Sequence, residues 1–583
     1  MRILKWFPIF YSILIMGQEE METFSYSNNV KLDSLTFQIQ ENSFQEDDNL
    51  TLLGFDLFES NILSNFGSPL VPLWWKPRYN MNLRIGDLLL QHQVPKDNFE
   101  SYYGHSFPFT KIIYSPTYSD GQKLNFIHRR VYKYGSTSIN YNRQVSEGFL
   151  AHEKNYNTVF KIEGNFYHPK IPFSSKWRIR TYKNTFEWNG GILDDSSFLS
   201  ESESNWELLP TQWSEQISTT KHIEINGLQE YKIHNNTSLT YELKFSRDSF
   251  LYDELEEDSL FYPHRTDSST QIIRAFNSSN HLIKWIYKIN SGLHVFLGGE
   301  YQSLKYFSQN TNQWNILGSM TSKRYNNQFK FTLGKGNLFD GNFNIAYYQK
   351  ANIFDCRNIF KIAYEKNLPN WMNMNTNFMS AVENHIDSSS ISQSIIDKHI
   401  QWKINIMDKI KILNTYHNIE GYNYFDEEGR SSTSKEKINV IQSRIDYRLE
   451  KYSYHWDGTL GYQYVSNIAI PVPKLMFHQK LYWQGSLFED ASMSQMGVRL
   501  IYKSTHQGLS YAPLLGNFHL NRSNLTNSTL RTDLFVNFQI QSIKIFLSYE
   551  HFNSLWQGRQ YIIKPYPMAK PTFRISLIWN FYD

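Results

Sequence analysis

The chain has 583 residues, of which 40% are hydrophobic, 16% aromatic and 19% charged, and its mean hydropathy is −0.52. This composition excludes a bundle of membrane-spanning helices, and the many aromatic residues with a net charge of only +3 exclude a disordered chain. The charges nearly balance and form no long basic block, so we do not expect the chain to bind nucleic acid. The chain has a single cysteine, Cys356, which excludes an intrachain disulfide framework and a metal site built from several thiolates.

The first residues have the layout of an export signal. Arg2 and Lys5 precede an apolar run over residues 6–16, and Gly17 is followed by a polar, acidic stretch. We therefore predict a cleaved signal peptide at residues 1–17, since the run is too short to cross a bilayer as a helix. Residues 18–60 are predicted to form a periplasmic N-terminal arm, with a short strand element or a plug as alternatives.

From about residue 111 to the C-terminus, apolar and polar residues alternate with a period of two. Leu239, Tyr241 and Leu243, for example, alternate with Thr240 and Glu242. This pattern is typical of strands with two chemically different faces, and helical spacing is nowhere sustained. Such windows indicate about 16 to 20 strands of roughly ten residues each.

The connections between these strands alternate in length. Residues 290–292 form a short turn, whereas residues 201–205, 253–259 and 425–436 form long polar connections. Backbone groups in hydrocarbon have no water to bond, so strands there must pair on both edges. The predicted fold is therefore all-β: a single large antiparallel transmembrane β-barrel over residues 61–583, with short periplasmic turns and long extracellular loops.

Charged residues inside the predicted strands are expected to face a water-filled lumen, because they are costly when they face lipid. The candidates for lumenal charges are Arg129, Arg143, Lys161, Glu163, Arg178 and Arg180. Alternation puts Arg178 and Arg180 on the same face, where a basic ladder could attract anionic solutes. The favoured alternative is a structural ladder in which these charges pair with Glu163 and Glu187.

The C-terminal part of the chain carries an ordered series of motifs. They are Gly497-Val-Arg-Leu-Ile-Tyr502, Ser510-Tyr-Ala-Pro-Leu514, Thr532-Asp-Leu-Phe-Val-Asn537, Lys564-Pro-Tyr-Pro-Met568 and the stretch 572–581. Together with Asn65-Phe-Gly-Ser-Pro69 and Tyr141-Asn-Arg-Gln144, this series resembles the outer-membrane β-barrel porins of Bacteroidetes. The resemblance runs over residues 61–583 and implies a location in the bacterial outer membrane, a porin-like barrel and no catalytic residues.

The sequence contains no phosphate-binding, dinucleotide-binding, zinc-peptidase or serine-hydrolase motif. We therefore predict no enzymatic activity, no catalytic residue, no cofactor and no metal site. The acidic run 253–258 could gather a divalent cation, although a solvated loop is the favoured interpretation, and His385 beside Glu383 and Asp387 is a weak metal motif.

The leading functional hypothesis is a porin-like channel for passive diffusion of small polar solutes or ions. The alternative is a non-conducting barrel that acts as a structural, assembly or surface-binding partner, and a barrel-embedded lipid enzyme is a third hypothesis. An energised receptor is disfavoured because no globular plug of about 120 residues precedes the strands. The expected partners are outer-membrane lipid, lipopolysaccharide, the barrel-assembly machinery and small polar solutes, with a homo-oligomer left open.

Overall fold

The computed structural model describes most of the chain from residue 57 onward. The described ranges are 57–77, 108–116, 121–200, 205–214, 216–254, 271–290, 292–306, 309–322, 326–336, 342–353, 356–367, 394–407, 409–487, 492–514 and 516–582. Several sequence predictions lie outside these ranges: the signal peptide, residues 18–56 of the N-terminal arm, residues 255–258 of the acidic run, and the group around His385.

The described chain consists of strands and three short helical turns. The first strands are β1 (Ser60–Ile62), β2 (Leu70–Pro72), β3 (Phe109–Pro116), β4 (Gln122–Tyr132), β5 (Gly135–Ser146), β6 (Asn155–Tyr167), β7 (Phe173–Trp188), β8 (Gln216–His234), β9 (Thr237–Glu254) and β10 (Gln271–Asn290). The next are β11 (Leu293–Tyr306), β12 (Gln309–Ser322), β13 (Asn327–Gly336), β14 (Asn342–Ile353), β15 (Cys356–Asn367), β16 (Ile395–Ile406), β17 (Ile410–Glu420), β18 (Asn423–Phe425), β19 (Ser431–Thr433) and β20 (Ile438–Lys451).

The remaining strands complete the C-terminal part of the chain. They are β21 (Tyr454–Val465), β22 (Leu475–Leu487), β23 (Ser492–Lys503), β24 (His506–Ala512), β25 (Asn517–Thr526), β26 (Thr529–Ile540), β27 (Ile543–Glu550), β28 (Tyr561–Ile563), β29 (Tyr566–Pro567) and β30 (Thr572–Tyr582). The helical turns are α1 (Asp195–Leu199), a 3-10 turn (Trp206–Leu208) and α2 (Ser554–Gln557). No helix in the described ranges is long and apolar enough to cross a membrane.

Twenty-two strands form one closed antiparallel barrel, namely β3–β17, β20–β23, β26, β27 and β30. The last strand pairs with the first, with Trp579 opposite Ile112, so the sheet has no free edge. Closure satisfies the backbone groups of every wall strand, as hydrocarbon requires. The predicted fold class is confirmed, and the strand number exceeds the predicted range of about 16 to 20, since two-residue turns such as 133–134 hardly interrupt the alternating pattern.

The apolar face of the wall points outward. On β8, Ile223 and Ile225 are 46% and 45% exposed, whereas the alternating His222 and Glu224 are both 0% exposed. The same arrangement recurs on β6, where Phe160 is exposed and the side chains on either side of it are buried. A soluble β-sandwich would bury its apolar face, so this wall is suited to lipid.

The two rims of the barrel differ in their connections. At one rim the turns are short, and Met407 and Tyr452 adopt left-handed backbone conformations there, with φ of 47° and 56°. At the other rim, called here the outer rim, long connections carry the β18–β19, β24–β25 and β28–β29 hairpins and all three helical turns. Short turns normally lie on the periplasmic side of such barrels and long loops on the extracellular side.

The wall begins only at Phe109, at the rim with the short turns. Residues 61–77, which the sequence analysis assigns to the barrel, lie within the lumen and contribute only the small β1–β2 hairpin. The difference arises because short apolar runs occur in the sequences of both a lumenal segment and a wall strand, and only the pairing partners distinguish them.

Candidate functional site

A segment that precedes the wall, residues 57–77, crosses the lumen near the outer rim and is called the lumen segment. Ser60 pairs with Pro72 in its hairpin, and the backbone N–H of Leu63 donates to the carbonyl of Pro69 at 2.9 Å. Its large apolar side chains are buried, each 6% exposed or less: Phe58, Ile62, Leu63, Phe66, Leu70, Leu73, Trp74 and Trp75. The lumen segment is therefore packed on all sides within the barrel.

Two glutamines of the wall hold one end of the lumen segment by its backbone. Gln463 on β21 donates from Nε2 to the carbonyl of Leu73 at 2.6 Å, and its Oε1 accepts the N–H of Trp75 at 3.2 Å. Gln442 on β20 donates from Nε2 to the carbonyl of Trp75 at 2.9 Å. These bonds satisfy buried backbone groups that would otherwise be costly to remove from water.

The other end of the lumen segment is held by the opposite wall. Asn65 donates from Nδ2 to the carbonyl of Glu153 at 2.7 Å, and Asn184 on β7 donates from Nδ2 to the carbonyl of Gly67 at 3.3 Å. Gly67 has a φ of +87°, and a Cβ at this position would overlap the side chain of Asn155. Only glycine allows this close approach without strain, and the segment thus spans the lumen between β20–β21 and β5–β7.

The β24–β25 hairpin also reaches across the outer rim. Tyr511 stacks on Trp188 of β7 with ring centroids 4.8 Å apart, Phe518 packs edge-on against Tyr511 at 5.0 Å, and Gly516 lies against Phe250 of β9. The apolar cluster that joins this hairpin to the lumen segment consists of Phe58, Leu63, Val71, Leu73, Trp74, Phe186, Trp188, Trp213, Met476, Tyr511, Phe518, Ile562, Ile563, Tyr566 and Met568.

Two further connections at the outer rim, between β7 and β8 and between β27 and β30, form hydrogen bonds with each other. The N–H of Ile192 donates to the carbonyl of Pro565 at 3.0 Å, and the Tyr561 hydroxyl donates to Oδ1 of Asp195 at 2.9 Å. The lumen segment, the β24–β25 hairpin and the described residues of the two connections, 189–200, 205–214 and 551–571, are together called the outer closure. The outer closure packs across the lumen at the rim that carries the long connections.

A buried carboxyl group lies where the lumen segment meets the wall. Glu153 is 4% exposed, and its Oε2 accepts the N–H groups of Phe149 at 2.9 Å and Leu150 at 3.3 Å. Burial raises the pKa of Glu153 from 4.5 to about 7, against the opposing effect of these hydrogen bonds. The backbone carbonyl of Glu153 accepts a hydrogen bond from Asn65 of the lumen segment. A carboxyl group with a pKa of about 7 therefore lies where the lumen segment contacts the wall, at what is called here its docking point.

Four of the six predicted lumenal charges come together on the lumen face of β6 and β7. Lys161 lies opposite Arg180 and Glu163 opposite Arg178, and all four are at most 2% exposed. Glu224 on β8 joins them: it accepts from Arg180 at 2.8 Å and from Arg178 at 3.5 Å, while Lys161 contacts Glu163 at 3.2 Å. This mutual pairing favours the structural ladder over a free basic ladder.

Arg143 does not belong to this group, which corrects the sequence prediction. It is exposed on β5 and lies opposite Leu124, which is itself 39% exposed on the outer face. Alternation explains the placement, since Arg143 shares a face with Tyr141 and Val145, while Asn142 and Gln144 face the lumen. Arg143 is close to the outer end of β5, where a long side chain can extend toward the lipid headgroups.

The two other charges named in the sequence analysis are placed differently. Arg129 is half-buried on β4 and shares the face of the buried Lys123 and Asn125, which is the lumen face. Glu187, proposed as an acidic partner in the structural ladder, alternates with the buried Phe186 and Trp188 and lies on the opposite face from Arg178 and Arg180. The acidic partner of these arginines is therefore Glu224.

The sequence analysis did not identify Glu224 as the acid that pairs with Arg178 and Arg180. The local signal was present, since His222, Glu224 and Asn226 alternate with Ile223 and Ile225. What the sequence lacks is the register that places Glu224 directly opposite Arg180, 44 residues away. The strong alternation on β8 is therefore the sequence signal that indicates Glu224 as a lumenal acid.

A second cluster of buried polar side chains lies on β16 and β17 of the wall. Within the described ranges, three metal-ligating side chains converge at Asp397 and His399 on β16 and His417 on β17, with ligand atoms all within 4.8 Å of one another. All three are buried. The sequence analysis predicted no metal site and did not identify these residues, since only the register of β16 and β17 brings His417 opposite His399.

Comparison with known proteins gives a family and a fold. A family model described as "Putative porin" matches residues 22–583. No curated protein matches the chain. Among solved structures, a mutant ferric enterobactin receptor, PfeA of Pseudomonas aeruginosa, superposes with a TM-score of 0.59 at 10% identity, covering 81% of this chain and 80% of that one.

Two other solved structures have the same fold. The FrpB iron transporter from Neisseria meningitidis superposes with a TM-score of 0.58 at 8% identity, covering 86% of this chain and 83% of that one. The siderophore receptor PirA from Acinetobacter baumannii has a TM-score of 0.59 at 8% identity, covering 82% and 80%. At this identity the likeness establishes the barrel architecture only.

These findings overturn the predicted passive channel. Three solved barrels of this architecture are described as iron or siderophore receptors or transporters rather than as passive porins. The structure adds a physical reason, since the lumen segment and the β24–β25 hairpin pack into one buried apolar cluster inside the barrel. A receptor is also no longer disfavoured, because residues 57–77, which precede the wall, occupy the lumen.

Proposed function

The chain belongs to the porin family whose model it matches, and from that premise we propose that it is a gated outer-membrane receptor. It binds a bulky ligand at the outer closure and admits the ligand only when the lumen segment moves. The observation that carries this proposal is the lumen segment itself, which spans the barrel between opposite walls. Family membership and the lipid-suited wall place the chain in the bacterial outer membrane.

Moving the lumen segment requires work. Five of its large buried side chains (Phe58, Leu63, Leu73, Trp74 and Trp75) each gain about 1.5–3 kcal/mol from burial, or on the order of 10 kcal/mol together, before its hydrogen bonds are counted. Thermal fluctuation alone would seldom open such a barrel. Ligand binding at the outer closure, or force applied to the chain that precedes residue 57, supplies the energy in this proposal.

The ligand class in this proposal is a ferric siderophore. It rests on the receptors with the same barrel architecture, which are described as receptors or transporters for iron and siderophores.

The setting of the protein is part of the proposal. The C-terminal motif series supports an origin in a member of the Bacteroidetes, and the N-terminal layout supports export through a signal peptide at residues 1–17. Outer-membrane lipid and lipopolysaccharide surround the wall, and the barrel-assembly machinery inserts it, with the aromatic residues Phe581 and Tyr582 of β30 as its recognition element.

Planar-bilayer recording of the purified full-length protein tests the gating. The wild type should show no steady conductance, whereas Gln463→Ala, which removes two hydrogen bonds to the lumen segment, should show transient openings. Gln495→Ala is the matched control, since Gln495 bonds only to Gln484 and Asn537 within the wall. A folded wild type that conducts steadily would refute the gate, and failure of ferric siderophores to quench its tryptophan fluorescence would refute the ligand class.

A further inference from the structure

Three side chains with metal-ligating atoms share the lumen face of β16 and β17. Asp397 and His399 are two residues apart on β16, so alternation gives them the same face. His417 on β17 is directly opposite His399 in the register of the two strands. The group is therefore built into a rigid part of the wall rather than into a loop, which favours a defined ligand geometry.

The distances between the ligand atoms are close to those of a metal centre. Nδ1 of His417 lies 3.0 Å from Oδ2 of Asp397, and Nδ1 of His399 lies 3.2 Å from the same oxygen. The two imidazole rings are 4.9 Å apart between centroids and are inclined by 31°. With bonds of about 2.0–2.1 Å, the ligand atoms of a tetrahedral zinc ion stand about 3.3 Å apart. The two distances to Asp397 are close to that value, and all the ligand atoms lie within 4.8 Å of one another.

Hydrogen bonding alone does not account for this arrangement. Nδ1 of His399 is buried and makes no hydrogen bond, although it lies within ion-pair distance of Asp397. Buried polar atoms nearly always have a partner, and a buried carboxylate needs a positive charge nearby. A divalent cation between the three side chains would meet both requirements and would leave both imidazoles neutral.

The surroundings support a bound ion. Oε1 of Glu365 on β15 lies 3.8 Å from Nε2 of His399, beyond hydrogen-bond distance, and adds a negative charge beside the group. On the lumen side, Trp75 of the lumen segment packs edge-on against His417 with ring centroids 4.9 Å apart. The site thus lies between the wall and the lumen segment, shielded from the centre of the barrel.

From this geometry we infer that Asp397, His399 and His417 bind one divalent transition-metal ion, with a fourth position left for water or a cargo ligand. Two imidazoles and one carboxylate suit zinc or another first-row ion, whereas calcium and magnesium prefer oxygen ligands alone. The inference does not rest on the proposed receptor function, because the three ligands belong to the wall and need no motion of the lumen segment to meet.

Calorimetric titration of the chelator-treated full-length protein with Zn²⁺, in detergent, tests the site. One Zn²⁺ should bind per chain, and His399→Gln and His417→Gln should each weaken the affinity by at least about tenfold. His222→Gln is the matched control: His222 is also buried on the lumen face, with Nδ1 2.7 Å from Asp248, but it has no second histidine facing it. This control should bind Zn²⁺ as the wild type does.

Two results would overturn the site. One is a folded wild type that binds no more Zn²⁺ than the double variant H399Q/H417Q, and the other is an equal loss of affinity in His222→Gln. If the variants do not fold, X-ray absorption of the Co²⁺-loaded wild type decides, since two imidazole nitrogens in the metal shell support the site and none refutes it. Because these measurements need no ligand and no voltage, their outcome is separate from the gating experiment.

Discussion

Glu153 makes closure of the barrel depend on pH. In the closed state its carboxyl group is 4% exposed beneath the docking point of the lumen segment, and burial raises its pKa from 4.5 to about 7. When the lumen segment leaves, the carboxyl group meets water and its pKa returns toward the ordinary value. The closed state therefore holds a proton that the open state releases, and closure is favoured at low pH and weakened as the pH rises through about 7.

The size of the effect follows from the two pKa values. A difference of about 2.5 pKa units corresponds to roughly 3 kcal/mol when the pH is well above 7. Between about pH 5 and about pH 8, the linkage relation gives a change of about 2.5 kcal/mol, which is a roughly 70-fold larger opening constant at the higher pH.

Hydrogen–deuterium exchange of the folded protein in detergent measures this opening. Peptides that cover residues 57–77 and 147–155 should lose protection between about pH 5 and about pH 8, after correction for the intrinsic exchange rate. In Glu153→Gln the amide cannot ionise but keeps an oxygen that can accept the N–H groups of Phe149 and Leu150, so protection should become nearly independent of pH. Glu147→Gln is the control, because Glu147 is exposed in the same loop and pairs with Lys154 at the surface.

Two observations would refute this reasoning. Protection that rises with pH in the wild type would show the wrong sign of proton linkage. A Glu153→Gln variant with the same pH dependence as the wild type would assign the effect to another group, whatever its size.

Two further predictions contrast the two faces of the wall. Glu224→Gln leaves Arg180 and Arg178 buried without their carboxylate. It should lower the free energy of unfolding, measured by urea titration, by about 3–5 kcal/mol. An unchanged unfolding midpoint would contradict the buried ladder. Arg143→Leu replaces an exposed residue near the outer end of β5, and it should change the free energy of unfolding by less than about 1 kcal/mol. A decrease in this free energy as large as that of Glu224→Gln would instead place Arg143 in the lumen.

The membrane architecture was predictable because its cause is local. On β8 the alternation of Ile223 and Ile225 with His222 and Glu224 defines two faces from four consecutive residues, and many strands repeat it. A chain with so many two-faced strands and no composition break can satisfy its backbone in hydrocarbon only by closing. The same reasoning is less secure at Arg143, where Tyr141-Asn-Arg-Gln144 places polar groups on both faces and leaves the register ambiguous.

The function of the barrel depends on contacts that the sequence does not encode locally. The lumen segment is held by Gln463 through a bond to Leu73, 390 residues earlier in the chain. Nothing in the neighbourhood of either residue distinguishes a segment inside the lumen from a strand in the wall. The passive-channel hypothesis failed at this point, since the period of a strand describes its two faces and not what fills the space they enclose.

Alternation along the chain therefore established the class of fold, its orientation toward lipid and the lumenal direction of five of the six charges named from the sequence. The tertiary structure decided that residues 57–77 pack inside the lumen, that Arg178 and Arg180 share Glu224, and that His417 meets Asp397 and His399. The physical reason is the difference in range: side-chain direction follows from neighbours along one strand, whereas closure and pairing depend on register between strands and on segments brought together only by folding.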